Sequence, residues 1–98
     1  MFDKMKSLLE MQKKMQDMKR ELDNTTFEVE SPDGLVRVMM NGSQEVKEIS
    51  LKGDIQTIEK NLLEKAVKNA YNIAIKRSHD IAAQKMKNIS GLNLPDLI

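Results

Sequence analysis

The stretch Gly34-Leu35-Val36-Arg37-Val38-Met39-Met40-Asn41-Gly42-Ser43-Gln44-Glu45-Val46-Lys47-Glu48-Ile49-Ser50-Leu51 decides the fold. From Leu35 to Asn41 side chains alternate, with Val36, Val38 and Met40 on one face and Leu35, Arg37 and Met39 on the other. Period-two alternation with β-branched residues predicts a strand with one covered face. Asn41-Gly42 then signals a tight turn, because both residue types tolerate a positive φ. Glu45 to Leu51 is the return strand, with Ile49 and Leu51 on one face. A lone two-stranded hairpin is marginal in water, so neighbouring segments must complete the sheet and cover it.

Upstream, Thr25 to Glu30 supplies a third strand carrying Phe27 and Val29 on one face. Ser31-Pro32-Asp33-Gly34 joins it to the next strand as a β-turn, proline presetting φ and glycine closing the turn. Short links favour neighbouring strands, so the centre of the chain is expected to be a three-stranded antiparallel meander.

Two helices flank it. Asp3 to Asp23 lacks Gly and Pro and is rich in Met, Leu, Lys, Glu and Gln. Leu8, Met11, Met15, Met18 and Leu22 are spaced 3, 4, 3, 4. This is either the seam of a two-heptad coiled coil or one face of a helix lying on its own sheet. Downstream, Asp54 is an expected N-cap. From Ile55 to Asn88 neither Gly nor Pro interrupts an apolar helical face that includes Ala66, Ala70 and Ala74 at every fourth position. Ser78-His79-Asp80 is its polar interruption, where the helix either bends or continues. Gly91 and Pro95 make 89–98 an irregular tail. At 1.5 Å per residue the second helix would run roughly 50 Å, against a radius of gyration of about 13 Å for a compact domain of this size. A single α+β domain over 1–98, paired as a homodimer with protruding helices, reconciles the two.

Function classes narrow quickly. The 98 residues contain no cysteine and one histidine, so neither disulfides nor a zinc site is expected. The four glycines are isolated turn positions rather than a phosphate-cradling loop. Ser78, His79 and Asp80 are consecutive; on a helix they point about 100° apart and cannot form a hydrogen-bonded relay. His79 reads as a solvated surface residue. The expectation is a non-enzyme without cofactor, metal or small-molecule substrate. The N-terminus lacks the apolar core of a signal peptide, and no run is long enough to span a bilayer, so a cytoplasmic protein without a membrane partner is expected.

Charge is nearly balanced overall, with 16 basic and 15 acidic side chains, but unevenly spread. Between Lys65 and Lys87 six basic residues face a single acid, Asp80. Lys76, Arg77, Lys85 and Lys87 there, with Lys13, Lys14, Lys19 and Arg20 beside the first helix's seam, are the candidate contacts to nucleic-acid phosphates. No aromatic residue is interleaved with them, which argues against base stacking on single strands. The expected dimer interface comprises Leu8, Met11, Met15, Met18, Leu22, Val36, Val38, Met40 and Ile81. The competing expectation is a protein-interaction module whose methionine-rich seam takes a partner helix, with no role on DNA.

The chain resembles the YbaB/EbfC family of nucleoid-associated proteins over nearly its whole length. The resemblance rests on the element order and on Gly34-x-Val36-x-Val38, Asn41-Gly42, Glu45-Val46, and Ile49 with Leu51. Leu63-Glu64, Ala70-x-Asn72-x-Ala74-x-Lys76, Met86, Gly91 and Pro95 extend it. Ile73 and Asp96 depart from the pattern, where the family usually has Asp and Gly. The resemblance implies a tweezer-shaped cytoplasmic homodimer on the nucleoid. It would bind duplex DNA, alter its conformation, and contribute to nucleoid organisation and gene regulation. Of the basic residues above, only Lys76 falls on a motif position.

Overall fold

Why one helix covers this sheet, and only part of it, follows from its small residues. A computed structural model describes residues 2–88, which form α1 (Phe2–Asn24), β1 (Thr26–Glu30), β2 (Val36–Asn41), β3 (Val46–Leu51), a 3-10 turn (Ile55–Thr57) and α2 (Lys60–Lys87). The expected tail at 89–98 lies outside the described residues. The strands form an antiparallel sheet in the order β1-β2-β3, as the meander reading required. Register pairs Val29 with Val38 and Phe27 with Met40 across β1–β2, and Val36 with Leu51 and Val38 with Ile49 across β2–β3. Directly paired residues share a face, so these side chains all lie on one side.

α2 crosses that side. Ala66, Ala70 and Ala74 are buried against Val29, Val36, Val38 and Met40, with Phe27, Leu35, Leu63 and Ile75 closing the margins. Alanine every fourth residue makes a low ridge, so the helix sits close to β2. A helix about 10 Å across covers little more than two strands spaced roughly 4.8 Å apart. β3 is left uncovered: Ile49 and Leu51, on the same face as the core, are 52% and 42% exposed.

The long-helix expectation needs one correction. Asp54 caps a 3-10 turn, not α2: its carboxylate accepts the Gln56 N–H at 3.0 Å and its carbonyl accepts the Thr57 N–H at 3.0 Å. Thr57 and Ile58 are β-branched, and Ile58 is extended with φ −89° and ψ 129°. α2 starts only at Lys60, so its 28 residues run about 42 Å rather than 50 Å. It passes through Ser78 without a break.

The chain is elongated as expected, with a radius of gyration of 18.5 Å and a long axis of 67 Å. The projecting element, however, is α1. Only Leu22 of its 23 residues is buried.

Because the alanine ridge sets the helix–sheet distance, Ala70→Leu is expected to cost about 1–3 kcal/mol by overpacking. Thermal unfolding should show the midpoint falling by roughly 4–8 °C per kcal/mol; an unchanged midpoint would mean that the ridge is not close-packed.

Candidate nucleic-acid interface

The two helices that carry the candidate cations, α1 and α2, meet at the β2–β3 hairpin. The last carbonyls of a helix have no partner inside it. In α1 they are taken by residues downstream. The Glu21 carbonyl accepts from Thr25 Oγ1 at 2.7 Å, and the Leu22 carbonyl from the N–H groups of Thr25 (3.2 Å) and Gly42 (3.0 Å). The Asp23 carbonyl accepts from Asn41 Nδ2 at 3.1 Å. The hairpin tip therefore caps the helix.

The tip is not the two-residue turn that Asn41-Gly42 suggests. Asn41 Oδ1 accepts the N–H groups of Ser43 and Glu45 at 3.0 and 2.9 Å, and the Asn41 carbonyl accepts from Gln44 N at 3.1 Å. The left-handed residue is Gln44, at φ 66°, not Asn41 or Gly42. Glycine is required at 42 by proximity: a Cβ there would lie 2.8 Å from Leu22 Cδ2 and 3.1 Å from the Leu22 carbonyl oxygen. A short-range turn signal and a long-range packing demand select the same residue.

From this base α1 projects with its apolar seam exposed. Leu8 is 67%, Met11 48% and Met15 43% exposed, while Met18 is half-buried. Of the expected dimer residues, Leu22, Val36, Val38 and Met40 are spent inside one chain. Val36, Val38 and Met40 are at most 1% exposed beneath α2, so no second subunit reaches them, and Leu22 is closed under the hairpin tip. Ile81 is half-buried. Alternation puts Ile49 and Leu51 on one face; what it does not show is that this β3 strip, with Val46, stays uncovered. Its signal is the mismatch between one helix and three strands.

The basic residues divide into two groups. Lys19 Nζ pairs with Asp23 at 3.2 Å, Arg20 lies 3.9 Å from Asp17, and Lys85 pairs with Glu21 at 3.3 Å, joining α2 to the base of α1. Lys13, Lys14, Lys76, Arg77 and Lys87 are exposed and form no ion pair among the described residues. The Arg77 guanidinium stands 5.6 Å from the centre of the Phe27 ring, a cation–π distance that holds it beside α2. Together with Ile73, Lys76, Asp80, Ile81 and Gln84 it lines a shallow groove along α2. On the opposite side of the sheet the surface is acidic: Glu28 and Glu48 flank Met39, and Glu30 pairs with Arg37 in the register and with Lys52 through a 2.7 Å ion pair. Arg37 and Lys52 share that face and offset part of its charge, and α1 mixes both signs; the cations collect on α2. Groups of three or more His, Cys, Asp or Glu placed to hold a metal ion are absent among the described residues, and none of their helices is long and apolar enough to cross a membrane.

Three carboxylates are held below their ordinary range. The Ser43 hydroxyl, with Lys19, lowers Asp23 from 3.8; the Lys52 ammonium lowers Glu30 from 4.5; the Ser31 hydroxyl and the Leu35 N–H lower Asp33 from 3.8. A depressed carboxylate contributes stability above its unfolded pKa and loses it as pH falls through the folded value. The unfolding midpoint is therefore expected to hold down to about pH 4 and then decline. Ser43→Ala should shrink the Asp23 part of that decline to what Lys19 sustains; an identical pH profile in this variant would show that the Ser43–Asp23 bond is not formed in solution.

Known proteins resemble this chain in sequence and in fold. Residues 1–92 match the family model described as the YbaB/EbfC DNA-binding family. The chain is 33% identical over 96 residues to a nucleoid-associated protein of Hahella chejuensis, covering 97% of this chain and 89% of the relative. It is 31% identical over 96 residues to one of Dictyoglomus thermophilum, covering 96% and 92%. The crystal structure of an uncharacterized protein from Helicobacter pylori superposes with a TM-score of 0.78 at 21% identity, over 93% of this chain and 98% of that one. That likeness establishes the fold: helix, three-stranded antiparallel sheet, long helix.

Proposed function

The chain belongs to the YbaB/EbfC DNA-binding family, and from that premise we propose that it binds duplex DNA as a homodimer. On this reading it is a cytoplasmic protein of the nucleoid that alters DNA conformation and contributes to nucleoid organisation and gene regulation. The observation that carries it is the concentration of unpaired cations on α2. Exposed Lys13, Lys14, Lys76, Arg77 and Lys87 stand on the two helices, and the acids Glu28, Glu30 and Glu48 occupy the bare face of the sheet. A duplex is attracted to the side where the unpaired cations of α2 stand. On this reading these cations contact phosphates, which position the duplex without reporting its sequence, so binding is dominated by the backbone.

The uncovered strip supports the homodimer. Val46, Ile49 and Leu51 are exposed beside α2, with Ile55 and Leu62 exposed in the segments that follow β3, and β3 has a free edge. A second copy laid on this strip would bury it and set two α1 arms apart, giving a tweezer-like shape. The alternative, a module that captures a partner helix on Leu8, Met11 and Met15, is favoured by the exposure of that seam. It predicts a stoichiometric protein partner retained after nuclease treatment and no retardation of DNA by the pure protein.

Binding of a duplex should weaken as salt rises, with log K against log[salt] sloping about −0.9 per phosphate neutralised. Replacing Lys13, Lys14, Lys76 and Lys87 by Ala should reduce the slope by about one unit per contact removed in each bound chain. Equal affinity and slope in parent and variant would place the DNA elsewhere. In sedimentation experiments Ile49→Glu with Leu51→Glu should halve the mass while leaving the circular dichroism unchanged. A parent mass of one subunit at micromolar concentration would contradict the homodimer.

A further inference from the structure

We propose that Asn41, Gly42 and Ser78 are positioning residues: their buried junction fixes the direction of α1 relative to α2, and so the spacing of the cations that the two helices offer to a duplex. The second half of this statement rests on the DNA-binding reading above; the first half does not.

Asn41 is fully buried and its hydrogen-bonding capacity is full. Its N–H donates to the Glu45 carbonyl at 3.0 Å, and its carbonyl accepts from Gln44 N and from Ser78 Oγ, both at 3.1 Å. Its Oδ1 accepts from Ser43 N and Glu45 N, and its Nδ2 donates to the Asp23 carbonyl and to Glu45 Oε1. The side chain of this one residue thus holds α1, and its main chain holds α2. A junction with every group satisfied admits one arrangement, because rotating either helix breaks a buried bond.

Ser78 shows that direction, rather than packing, is at stake. Ala66, Ala70, Ala74 and Ser78 recur every fourth residue, and all are buried. Alanine would continue the ridge without a hydroxyl to satisfy. A serine inside a helix ordinarily turns its hydroxyl back to the carbonyl four residues earlier. Here Ser78 Oγ instead reaches 37 residues back along the chain to Asn41. The other tie between the helices, Lys85 with Glu21, lies at the surface, where ion pairs contribute little.

The leverage is large. α1 has 23 residues and only its last turn is anchored. A tilt of roughly 10° at the base moves its far end, about 34 Å away, by about 6 Å, more than the roughly 3.4 Å of helix axis that each phosphate of one strand occupies.

The absence of cysteine makes the test clean. Spin labels are placed at Lys6→Cys on α1 and Lys68→Cys on α2, diluted in unlabelled chain so that only distances within one subunit are read. The parent should give a single narrow distance distribution. Ser78→Ala, which keeps the packing and removes the bond, should shift or broaden it by several ångströms. Gly42→Ala should do the same by lifting the tip off Leu22. Both variants should bind a duplex several-fold more weakly with an unchanged salt slope, since no charge is lost. Unchanged distance distributions in both variants overturn the proposal. Altered distances with unchanged duplex affinity overturn its second half. Altered distances in a protein whose parent fails to retard DNA support the angular role and reject the DNA-binding reading instead.

Discussion

Three carbonyl oxygens at the end of α1 would be orphaned in an isolated helix, and their satisfaction organises the molecule. Thr25, Gly42 and Asn41 supply the donors. An unpaired buried carbonyl costs on the order of 1–3 kcal/mol, so the helix end and the hairpin tip stabilise each other. Because the tip also accepts Ser78, the cap of one helix becomes the seat of the other. α1 needs no other anchor, which is how a 23-residue helix can stand clear of the body with its methionines in water.

The sheet and its single helix explain what remains exposed. Alanines bring α2 close over β2, and closeness limits its reach. β1 and β2 receive a cover and β3 does not. The same economy of small residues that packs the core leaves Ile49 and Leu51 in solvent, the surface on which the proposed homodimer would form. Charge is uneven too: three carboxylates lie on the other face of the sheet with Arg37 and Lys52 among them, and unpaired cations gather on α2. A protein whose formal charge is only +1 can still present a cationic side.

Much of this was legible in the sequence, and the failures have physical causes. Alternation at Val36, Val38 and Met40 identified the buried face correctly. It could not say whether a helix of the same chain or a second subunit covers it, because period two reports burial and not the covering partner. Asn41-Gly42 marked a turn, but its form was set by Asn41 bonding Ser43 and Glu45, and by Leu22 pressing on Gly42 from 20 residues away. Asp54 was recognised as a cap, yet the β-branched Thr57 and Ile58 ended its turn before α2 began. Lys19 and Lys85 carry charge in the sequence, but Asp23 and Glu21 offset it once the chain folds. Each miss involves residues brought together by the tertiary fold or a local competition that composition does not rank.

The most direct test of the account is amide hydrogen exchange at Gly42. Its N–H is shared between the carbonyls of Leu22 and Thr25 at the point where helix end and hairpin tip meet. If that junction is the anchor, the Gly42 amide exchanges only through global unfolding, as slowly as those of Val38 and Ala70 in the core. Exchange at Gly42 as fast as at the exposed amides near Leu8 would mean that the tip and the helix separate freely, and the account would fail.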